Sequence, residues 1–343
     1  MLRRLMHYKI QDSPNPIWLK GGKKNDHFNN VLKTFMGRDA LNILLYNISK
    51  KSVLLPAYIC KEVTSEFIKY GYKIYYYDIN CDFSIDIESI KKIIKDKGIE
   101  VFYYVVYFGF FGKYNTIAQE IKSSIPNIFI IEDRAHYLSN KLDFVNSDAY
   151  IFSFRKLLPI VEGGGLATRI NIEYNYKDRL LANVLPFAMF MKKILLGYSD
   201  KLTRNSIIKD EISQKIRPIS FISEQIIQKT DYEQEYSLRR ELYKKWIGKL
   251  SSTGIKPLFM DISSQDIPLG CPIYVNDATK LQSQLAEKGY YLKRHWPLSD
   301  DLMLVAPNSV KMSNKIITLP IYKGINSKDQ DEIINLIKES ISK

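Results

Sequence analysis

Two residues of opposite charge, Asp133 and Lys156, follow predicted strands in the middle of the chain. Asp133 comes directly after the run 129–132 (FIIE), and Lys156 follows the run 150–153 (YIFS). A lysine among apolar neighbours, as in the following 157–159 (LLP), can lose part of its basicity by desolvation and become nucleophilic. Each residue also has an ordinary interpretation, Asp133 as a helix N-cap and Lys156 as a surface lysine in a loop.

Three further features could bind a phosphate group. Ser153 offers a hydroxyl shortly before the lysine, and Gly37-Arg38-Asp39 opens a predicted helix, whose first N–H groups attract anions. Residues 163–165 are three glycines, which permit a close backbone approach but do not form a dinucleotide-binding fingerprint. Taken singly, the helix start and the glycines are equally well explained as an ordinary helix and a plain turn.

Together these groups match the needs of one cofactor, pyridoxal 5'-phosphate (PLP). PLP chemistry uses a lysine that forms an imine with the aldehyde, a carboxylate that keeps the pyridine nitrogen protonated, and amides and hydroxyls around the phosphate. Lys156, Asp133, Ser153 and the helix start at residues 37–39 supply one candidate for each need. A PLP enzyme is therefore one hypothesis for these residues, beside the ordinary interpretation of each.

The elements that must position these residues alternate between apolar strands and amphipathic helices from about residue 35 to 154. This pattern predicts a parallel sheet covered on both faces, with ligands beyond the carboxyl ends of its strands. We predict strands at 52–56, 73–78, 101–108, 127–132 and 148–154, and helices at 37–48, 61–69, 85–97 and within 180–229.

A second, smaller α/β unit is predicted toward the C-terminus. It follows a helix at 232–246 and comprises strands 272–275, 290–292 and 316–320 with helices 278–288 and 328–341. We expect a large PLP-binding domain at residues 1–235 and a small C-terminal domain at 236–343.

Composition argues against several other classes. The net charge of +13 is spread along the chain without a stripe or a known motif, which disfavours nucleic-acid binding. The three cysteines, Cys60, Cys81 and Cys271, form no CxxC pair, so we expect neither a disulfide framework nor a metal site. The scattered cysteines suit a reducing cytoplasm. A lysine, an aspartate and two prolines precede any long apolar run at the N-terminus, so we expect no signal peptide. The apolar stretch 180–196 is interrupted by a proline and two lysines, so we expect an amphipathic helix on a surface or a partner and no spanning helix.

The same residues lie in stretches that resemble a known family. The stretches are 37–41 (GRDAL), 53–58 (VLLPAY), 77–79 (YDI), 132–136 (EDRAH), 152–156 (FSFRK) and 162–168 (EGGGLAT), followed by 239–240 (RR), 272–275 (PIYV), 295–297 (HWP) and 318–321 (TLPI). Through them the chain resembles the DegT/DnrJ/EryC1/StrS family, the sugar aminotransferases of PLP fold type I. The resemblance runs from residue 35 to near the C-terminus.

The resemblance implies an aspartate-aminotransferase-like α/β fold with a mostly parallel seven-stranded sheet and a smaller C-terminal α/β domain. Asp133 would face the pyridine nitrogen, Lys156 would carry the cofactor, and Ser153 with the amides of Gly37, Arg38 and Asp39 would bind the phosphate. His136 stands where the family usually has glutamine, near the phenolic oxygen of the cofactor.

The implied activity transfers an amino group, from glutamate as donor, to a nucleotide-linked keto sugar. Such a product would enter polysaccharide, lipopolysaccharide or glycoconjugate biosynthesis. The family also implies a homodimer with each site at the two-fold interface. Arg294 and His295 are candidates for contact with the substrate, although a His-Trp-Pro turn is equally typical of plain packing.

Three features depart from the family pattern. The link from Ser153 to Lys156 is shorter, and the aromatic residue expected to stack on the pyridine ring falls at Cys60, with Tyr58 or Tyr107 as possible replacements. The family's Asn-Tyr-Arg segment, which crosses the dimer, has no match, and the region 180–215 is rebuilt.

These departures leave other functions open. A PLP enzyme of the same fold could be a dehydratase or act on a non-sugar substrate, although retention of Lys156 argues against the dehydratases that replace this lysine with histidine. From another class, a non-enzymatic regulator or nucleic-acid-binding protein would use the positive charge, but it would leave Asp133 and Lys156 unexplained.

Overall fold

The computed structural model describes residues 27–174, 216–322 and 324–341. The apolar stretch 180–196 and the rebuilt region 180–215 lie outside these ranges. Among the described residues, no helix is long and apolar enough to cross a membrane.

The large part of the fold is built on a seven-stranded sheet. Its strands are β1 (Leu32–Thr34), β2 (Ser52–Pro56), β3 (Lys73–Tyr77), β4 (Val101–Val105), β5 (Phe129–Arg134), β6 (Ala149–Phe152) and β7 (Gly164–Thr168). Their order is β1-β7-β6-β5-β4-β2-β3, and β2 to β6 pair in parallel while β7 is antiparallel to both β6 and β1. The predicted α/β class with a mostly parallel sheet is therefore confirmed.

Apolar side chains on both faces of the central strands explain why this sheet forms. Every residue of β4 is buried, as are those of β6, so both faces must be covered. The helices α1 (Gly37–Asn47), α2 (Lys61–Lys69), α3 (Ile87–Lys97) and α4 (Ile117–Ser124) connect or flank these strands. Helix α3 shows how the sequence sets their limits, because Asp86 accepts a hydrogen bond from the Ser89 amide and Gly98 ends the helix at a φ of 59°.

Two strands differ from their predicted limits in ways that affect the site. Strand β4 stops at Val105, and the chain then turns through Phe108, which has a φ of 51°. Strand β5 extends to Arg134, so Asp133 lies inside the strand and not beyond it. Since side chains alternate across a strand, Asp133 projects from one face while Glu132 and Arg134 project from the other.

The C-terminal part contains a two-stranded antiparallel sheet of β8 (Cys271–Tyr274) and β9 (Ile316–Leu319). Its helices are α5 (Phe221–Lys229), α6 (Tyr232–Leu250), α7 (Ala278–Glu287), α8 (Pro307–Lys315) and α9 (Ser327–Ile341). The predicted strand at 290–292 does not form, and Lys293 instead makes a single bridge to Thr318. Helix α6 runs through the predicted boundary at residue 235, and the division at that point stays a prediction.

One carboxylate joins the two parts directly. Asp78, just after β3, accepts hydrogen bonds from the backbone N–H groups of Asn308 and Ser309 at 2.9 and 2.8 Å and from the Ser309 hydroxyl at 2.6 Å. A carboxylate at the first turn of a helix satisfies amides that have no intrahelical acceptor. Asp78 thereby attaches α8 to the end of the large sheet.

Candidate active site

The parallel pairing of β5 with β6 brings Asp133 and Lys156 to the same edge of the sheet. Asp133 is in register with Ile151 of β6, and Lys156 lies in the short turn Phe154–Lys156 that follows this strand. Burial lowers the pKa of the Lys156 amine, and the Asp133 carboxylate opposes this shift. Burial likewise raises the pKa of Asp133, opposed first by Lys156. Each group therefore stabilises the charge of the other.

The Asp133 carboxylate is held by two hydrogen bonds. It accepts one from the Tyr103 hydroxyl at 2.7 Å and one from the Ala135 amide, also at 2.7 Å. The carboxylate is 5% exposed, and its two oxygens can each accept more than one hydrogen bond. It is thus fixed in place with capacity for a further donor.

His136 presents a buried ring nitrogen without a partner. Its Nδ1 accepts the Phe108 N–H at 3.4 Å, which in a neutral ring requires the hydrogen to be on Nε2. Nε2 is buried and has no hydrogen-bond partner among the described residues. Burial, reinforced by the charge of Lys156, holds the pKa of His136 well below its usual value, so the ring stays neutral. His136 therefore offers an N–H donor to a group that brings its own acceptor.

Residues of the C-terminal part complete this side of the site. The Trp296 ring stacks on His136 with centroids 5.1 Å apart and lies 5.9 Å from the Lys156 amine. His295 is buried, meets the His136 ring edge-on at 5.1 Å and places its Nδ1 3.1 Å from the Thr318 hydroxyl. The site thus lies between the large sheet and the small one.

Arg294, the neighbouring candidate, is anchored within the C-terminal part. Its guanidinium donates to the Thr279 hydroxyl at 2.6 Å and to the Ser313 carbonyl at 3.0 Å. Its Nε is buried without a hydrogen-bond partner among the described residues. The Tyr58 hydroxyl, which the charge of Arg294 reaches, is also buried without a partner in that part of the chain.

The start of α1 lies beside Ser153. A methyl group on Gly37 would come within 3.0 Å of the Phe152 carbonyl oxygen and 3.7 Å of the Ser153 Cβ, so no side chain separates them. The Asp39 carboxylate turns back to accept the Met36 N–H at 2.9 Å, and the Asp39 amide donates to the Met36 carbonyl. Burial raises the pKa of Asp39 to about 7. The Gly37 and Arg38 amides and Ser153 therefore form the part of this corner that is suited to an anion.

Gly164 allows β7 to pack against the start of α1. A Cβ at this position would lie 2.1 Å from the Met36 carbonyl carbon and 2.4 Å from the Gly37 nitrogen. We expect Gly164→Ala to lower the free energy of unfolding by about 1–3 kcal/mol, because backbone atoms cannot yield as a flexible side chain would. Urea unfolding of Gly164→Ala and wild type would measure this difference in free energy.

Gly248 provides the matched control. It lies in α6, where a Cβ would meet nothing within 4 Å. Gly248→Ala should raise stability by about 1 kcal/mol through helix propensity. Equal effects at the two glycines would contradict the close approach of β7 to α1.

Cys60 lies at the edge of the charged pair. It is the N-cap residue of α2, and burial raises the pKa of its thiol to about 11 against the influence of Lys156. The thiol is therefore neutral near pH 7. Tyr58 and Tyr107 instead belong to an aromatic cluster, with Tyr58 packing on Phe83 and Trp296.

Three residues at this site have no role assigned from the sequence: Tyr103, Phe108 and Trp296. Tyr103 shares a face with Asp133 because of the β4–β5 register, which places it opposite Ile131. Phe108 contributes its backbone N–H, which a φ of 51° directs to His136 Nδ1. Trp296 contributes its ring, which stacks on His136 from a distant part of the chain. Strand alternation in β4 indicates Tyr103, and the family-like stretch 295–297 contains Trp296.

The buried neutral histidine gives stability a specific pH dependence. Its native pKa lies below the unfolded value of 6.5, so below about pH 6.5 the unfolded state binds a proton that the native state does not. Native stability is therefore lost as the pH falls, by up to about 1.4 kcal/mol per pH unit. Urea unfolding of wild type and His136→Gln from pH 5 to 8 should show a stability difference that shifts in favour of the variant at low pH. A difference independent of pH would contradict a neutral His136.

No cluster that could hold a metal ion, meaning three or more His, Cys, Asp or Glu side chains, occurs in the described ranges.

Comparison with solved structures matches nearly the whole chain. Spr1654 of Streptococcus pneumoniae, described as a sugar aminotransferase in its PLP form, has 17% identity and a TM-score of 0.68, covering 98% of this chain and 99% of that one. DesI, solved in the presence of its TDP-sugar product, has 13% identity and a TM-score of 0.68 over 97% and 93%. The chain has the fold of these aminotransferases.

A DegT DnrJ EryC1 StrS aminotransferase from Brucella abortus matches with 16% identity and a TM-score of 0.60, over 91% of this chain and 86% of that one. No family model and no curated protein sequence matches the chain. The likeness to solved structures confirms PLP fold type I, as the sequence resemblance predicted. The activity has to be inferred from the site.

Proposed function

We propose that this protein is a PLP-dependent aminotransferase that moves an amino group from glutamate to a nucleotide-linked keto sugar. The observation that carries the proposal is the electrostatic pairing of buried Asp133, within β5, with half-buried Lys156 in the turn after the adjacent parallel strand β6; Ser153 and the start of α1 lie nearby. A desolvated amine coupled to a carboxylate is typical of a catalytic centre. The fold shared with aminotransferases solved in PLP and PMP forms supports the same chemistry.

The residues present fit PLP. Asp133 would hold the pyridine nitrogen, since its carboxylate is fixed by Tyr103 and can accept another hydrogen bond. The unpartnered Nε2–H of His136 would serve the phenolic oxygen, and Lys156 would hold the aldehyde. The Gly37 and Arg38 amides with Ser153 would hold the phosphate.

When bound, PLP supplies an electron sink that stabilises negative charge on the substrate carbon that loses a proton. The chain supplies the rest. Lys156, with its lowered pKa, accepts and returns that proton, because an amine closer to neutrality is a better acid–base catalyst. Asp133 keeps a proton on the ring nitrogen, and Tyr103 keeps the carboxylate oriented. Trp296 and His295 cover the site against water.

The substrate class is inferred from the neighbours and from the unpartnered donors. DesI was solved with a TDP-sugar product, and a nucleotide sugar carries phosphates and hydroxyls. The buried Nε of Arg294 and the adjacent His295 lie where the C-terminal part meets the site, and we assign them to substrate binding. The net charge of +13 favours an anionic substrate.

The same proposal assigns roles to the two parts of the chain, an oligomeric state and a pathway. We assign residues 1–235 to cofactor binding and residues 236–343 to covering the site. The protein would act as a cytoplasmic homodimer in polysaccharide, lipopolysaccharide or glycoconjugate biosynthesis. Light scattering that gives the mass of a fully active monomer would contradict the dimer.

A spectrum tests the activity. Protein loaded with PLP should absorb in the near-ultraviolet to violet, and adding glutamate should replace this band with that of pyridoxamine phosphate. Failure to bind PLP would contradict the cofactor. Binding without conversion by any amino donor would favour a different PLP reaction, such as the dehydration that the short Ser153–Lys156 link left open.

A further inference from the structure

One buried arginine lies outside the groups that would touch cofactor or substrate. Arg239 of helix α6 is 3% exposed, and its Nε forms an ion pair with Glu235 at 2.8 Å. We propose that Arg239 is a positioning residue that holds the Lys156 turn and the His136 side of the site in register. The effect of Arg239 on PLP binding rests on the proposed function, whereas its effect on the two backbone segments does not.

The first contact of Arg239 reaches the lysine turn. Its Nη2 donates to the Leu157 carbonyl at 2.7 Å, one residue after Lys156. The turn itself is short, with the Lys156 amide bonded to the Ser153 carbonyl at 3.1 Å and the Leu157 amide to the Phe154 carbonyl at 3.0 Å. An external hydrogen bond to Leu157 therefore restrains the residue that precedes it.

The second contact leads to His136. Nη1 of Arg239 donates to the Pro268 carbonyl at 3.2 Å. The residues on either side of Pro268, Ile267 and Leu269, donate their amides to the carbonyls of Gly109 and Phe108 at 2.9 and 2.8 Å. The Phe108 amide in turn donates to His136 Nδ1.

The packing along this second path is close. A Cβ on Gly109 would lie 1.9 Å from the Ile267 carbonyl oxygen, and Phe108 is held at a φ of 51°. Backbone this tightly packed transmits a displacement of residues 267–269 to Phe108. A shift at Pro268 would therefore move the amide that sets the His136 tautomer.

The guanidinium group suits this task because it donates in several fixed directions at once. Glu235 balances its charge, so its effect on the site is geometric. A lysine has a single ammonium group and cannot reach Glu235, Leu157 and Pro268 together with the same geometry. Arg239→Lys therefore removes the connection while keeping the charge.

Arg240 provides a matched control on the next position of the same helix. It also donates to backbone carbonyls, those of Ser264 and Asp266 at 3.2 and 3.3 Å, but it is only partly buried and contacts neither Leu157 nor Pro268. The experiment compares Arg239→Lys and Arg240→Lys with wild type. Arg239→Gln is a second variant in case one substitution prevents folding.

The first measurement uses the PLP-loaded protein. In Arg239→Lys, the pH titration of the cofactor absorbance should shift. PLP affinity should fall about tenfold, which is the effect of losing one charge-assisted hydrogen bond.

The second measurement uses the cofactor-free protein. In Arg239→Lys, amide exchange of residues 154–160 and 266–269 should be about tenfold faster, because the same hydrogen bond is lost. Arg240→Lys should match wild type in the titration, in PLP affinity and in the exchange of residues 154–160; residues 266–269 do not separate the two variants, because Arg240 also donates to the Asp266 carbonyl.

A variant with faster exchange but an unchanged titration and affinity would overturn the positioning role. If amide exchange of residues 154–160 and 266–269 is unchanged in a folded Arg239→Lys or Arg239→Gln, Arg239 does not hold these two segments. If wild type binds no PLP, the proposed function fails, and amide exchange still decides whether Arg239 holds the two segments.

Discussion

Lys156→Ala is expected to abolish the near-ultraviolet to violet absorbance of the PLP-loaded protein and to slow conversion by glutamate at least about a thousandfold. The turn after β6 brings the Lys156 amine close enough to Asp133 for its charge to lower the pKa of the carboxyl group. No other lysine in the described ranges has this effect on Asp133. Absorbance titration with PLP and single-turnover kinetics with glutamate would measure both effects.

Lys61 is a suitable control because it is exposed at the start of α2, near Cys60 in sequence. Lys61→Ala should retain the spectrum and the rate of wild type. An unaltered spectrum in Lys156→Ala would show that another amine holds the aldehyde. Borohydride reduction followed by peptide mapping would then identify that amine.

The second large effect is expected at Asp133, whose neighbour in sequence, Glu132, should respond differently to loss of its charge. Asp133→Asn should reduce the rate of the glutamate half-reaction at least about a hundredfold, because a neutral amide cannot hold a proton on the pyridine nitrogen. The variant keeps the shape of the side chain, with an oxygen that accepts the Ala135 N–H and an NH2 group that donates to the Tyr103 hydroxyl oxygen. Its free energy of unfolding should fall less than that of Glu132→Gln, because Lys156, unlike an arginine, can lose its proton when its carboxylate partner is removed.

Glu132→Gln should have the opposite profile. Glu132 lies on the other face of β5, where it pairs with buried Arg134 at 2.6 Å and accepts hydrogen bonds from Tyr104 and Ser147. Removing its charge leaves Arg134 uncompensated, at a cost of about 3–5 kcal/mol in stability. PLP binding by the folded fraction should persist.

Urea unfolding and glutamate kinetics on both variants would test this separation. A loss of activity in Glu132→Gln that exceeds its loss of folded protein would contradict the assignment of the two faces. So would a strongly destabilised Asp133→Asn with normal kinetics.

Much of the large sheet was predictable because its strands are buried on both faces and therefore read as apolar runs. The limits of β2 and α2 match the prediction, and the sheet is mostly parallel as expected. The end of β4 was not predictable, because the run 101–108 stays apolar through the turn at Phe108. Hydrophobicity alone cannot distinguish a strand from a buried turn.

Strand, turn and helix-start signals are local, so the sequence could place Asp133, Ser153, Lys156 and the glycines at the ends of elements. It also implied the fold, which comparison with solved structures confirmed. The surroundings of these residues depend on tertiary contacts. Tyr103 meets Asp133 through strand register, and Trp296 stacks on His136 although the two residues lie far apart in the chain. Arg239 reaches Leu157 from a separate helix, since contacts between distant segments depend on packing that no local pattern records.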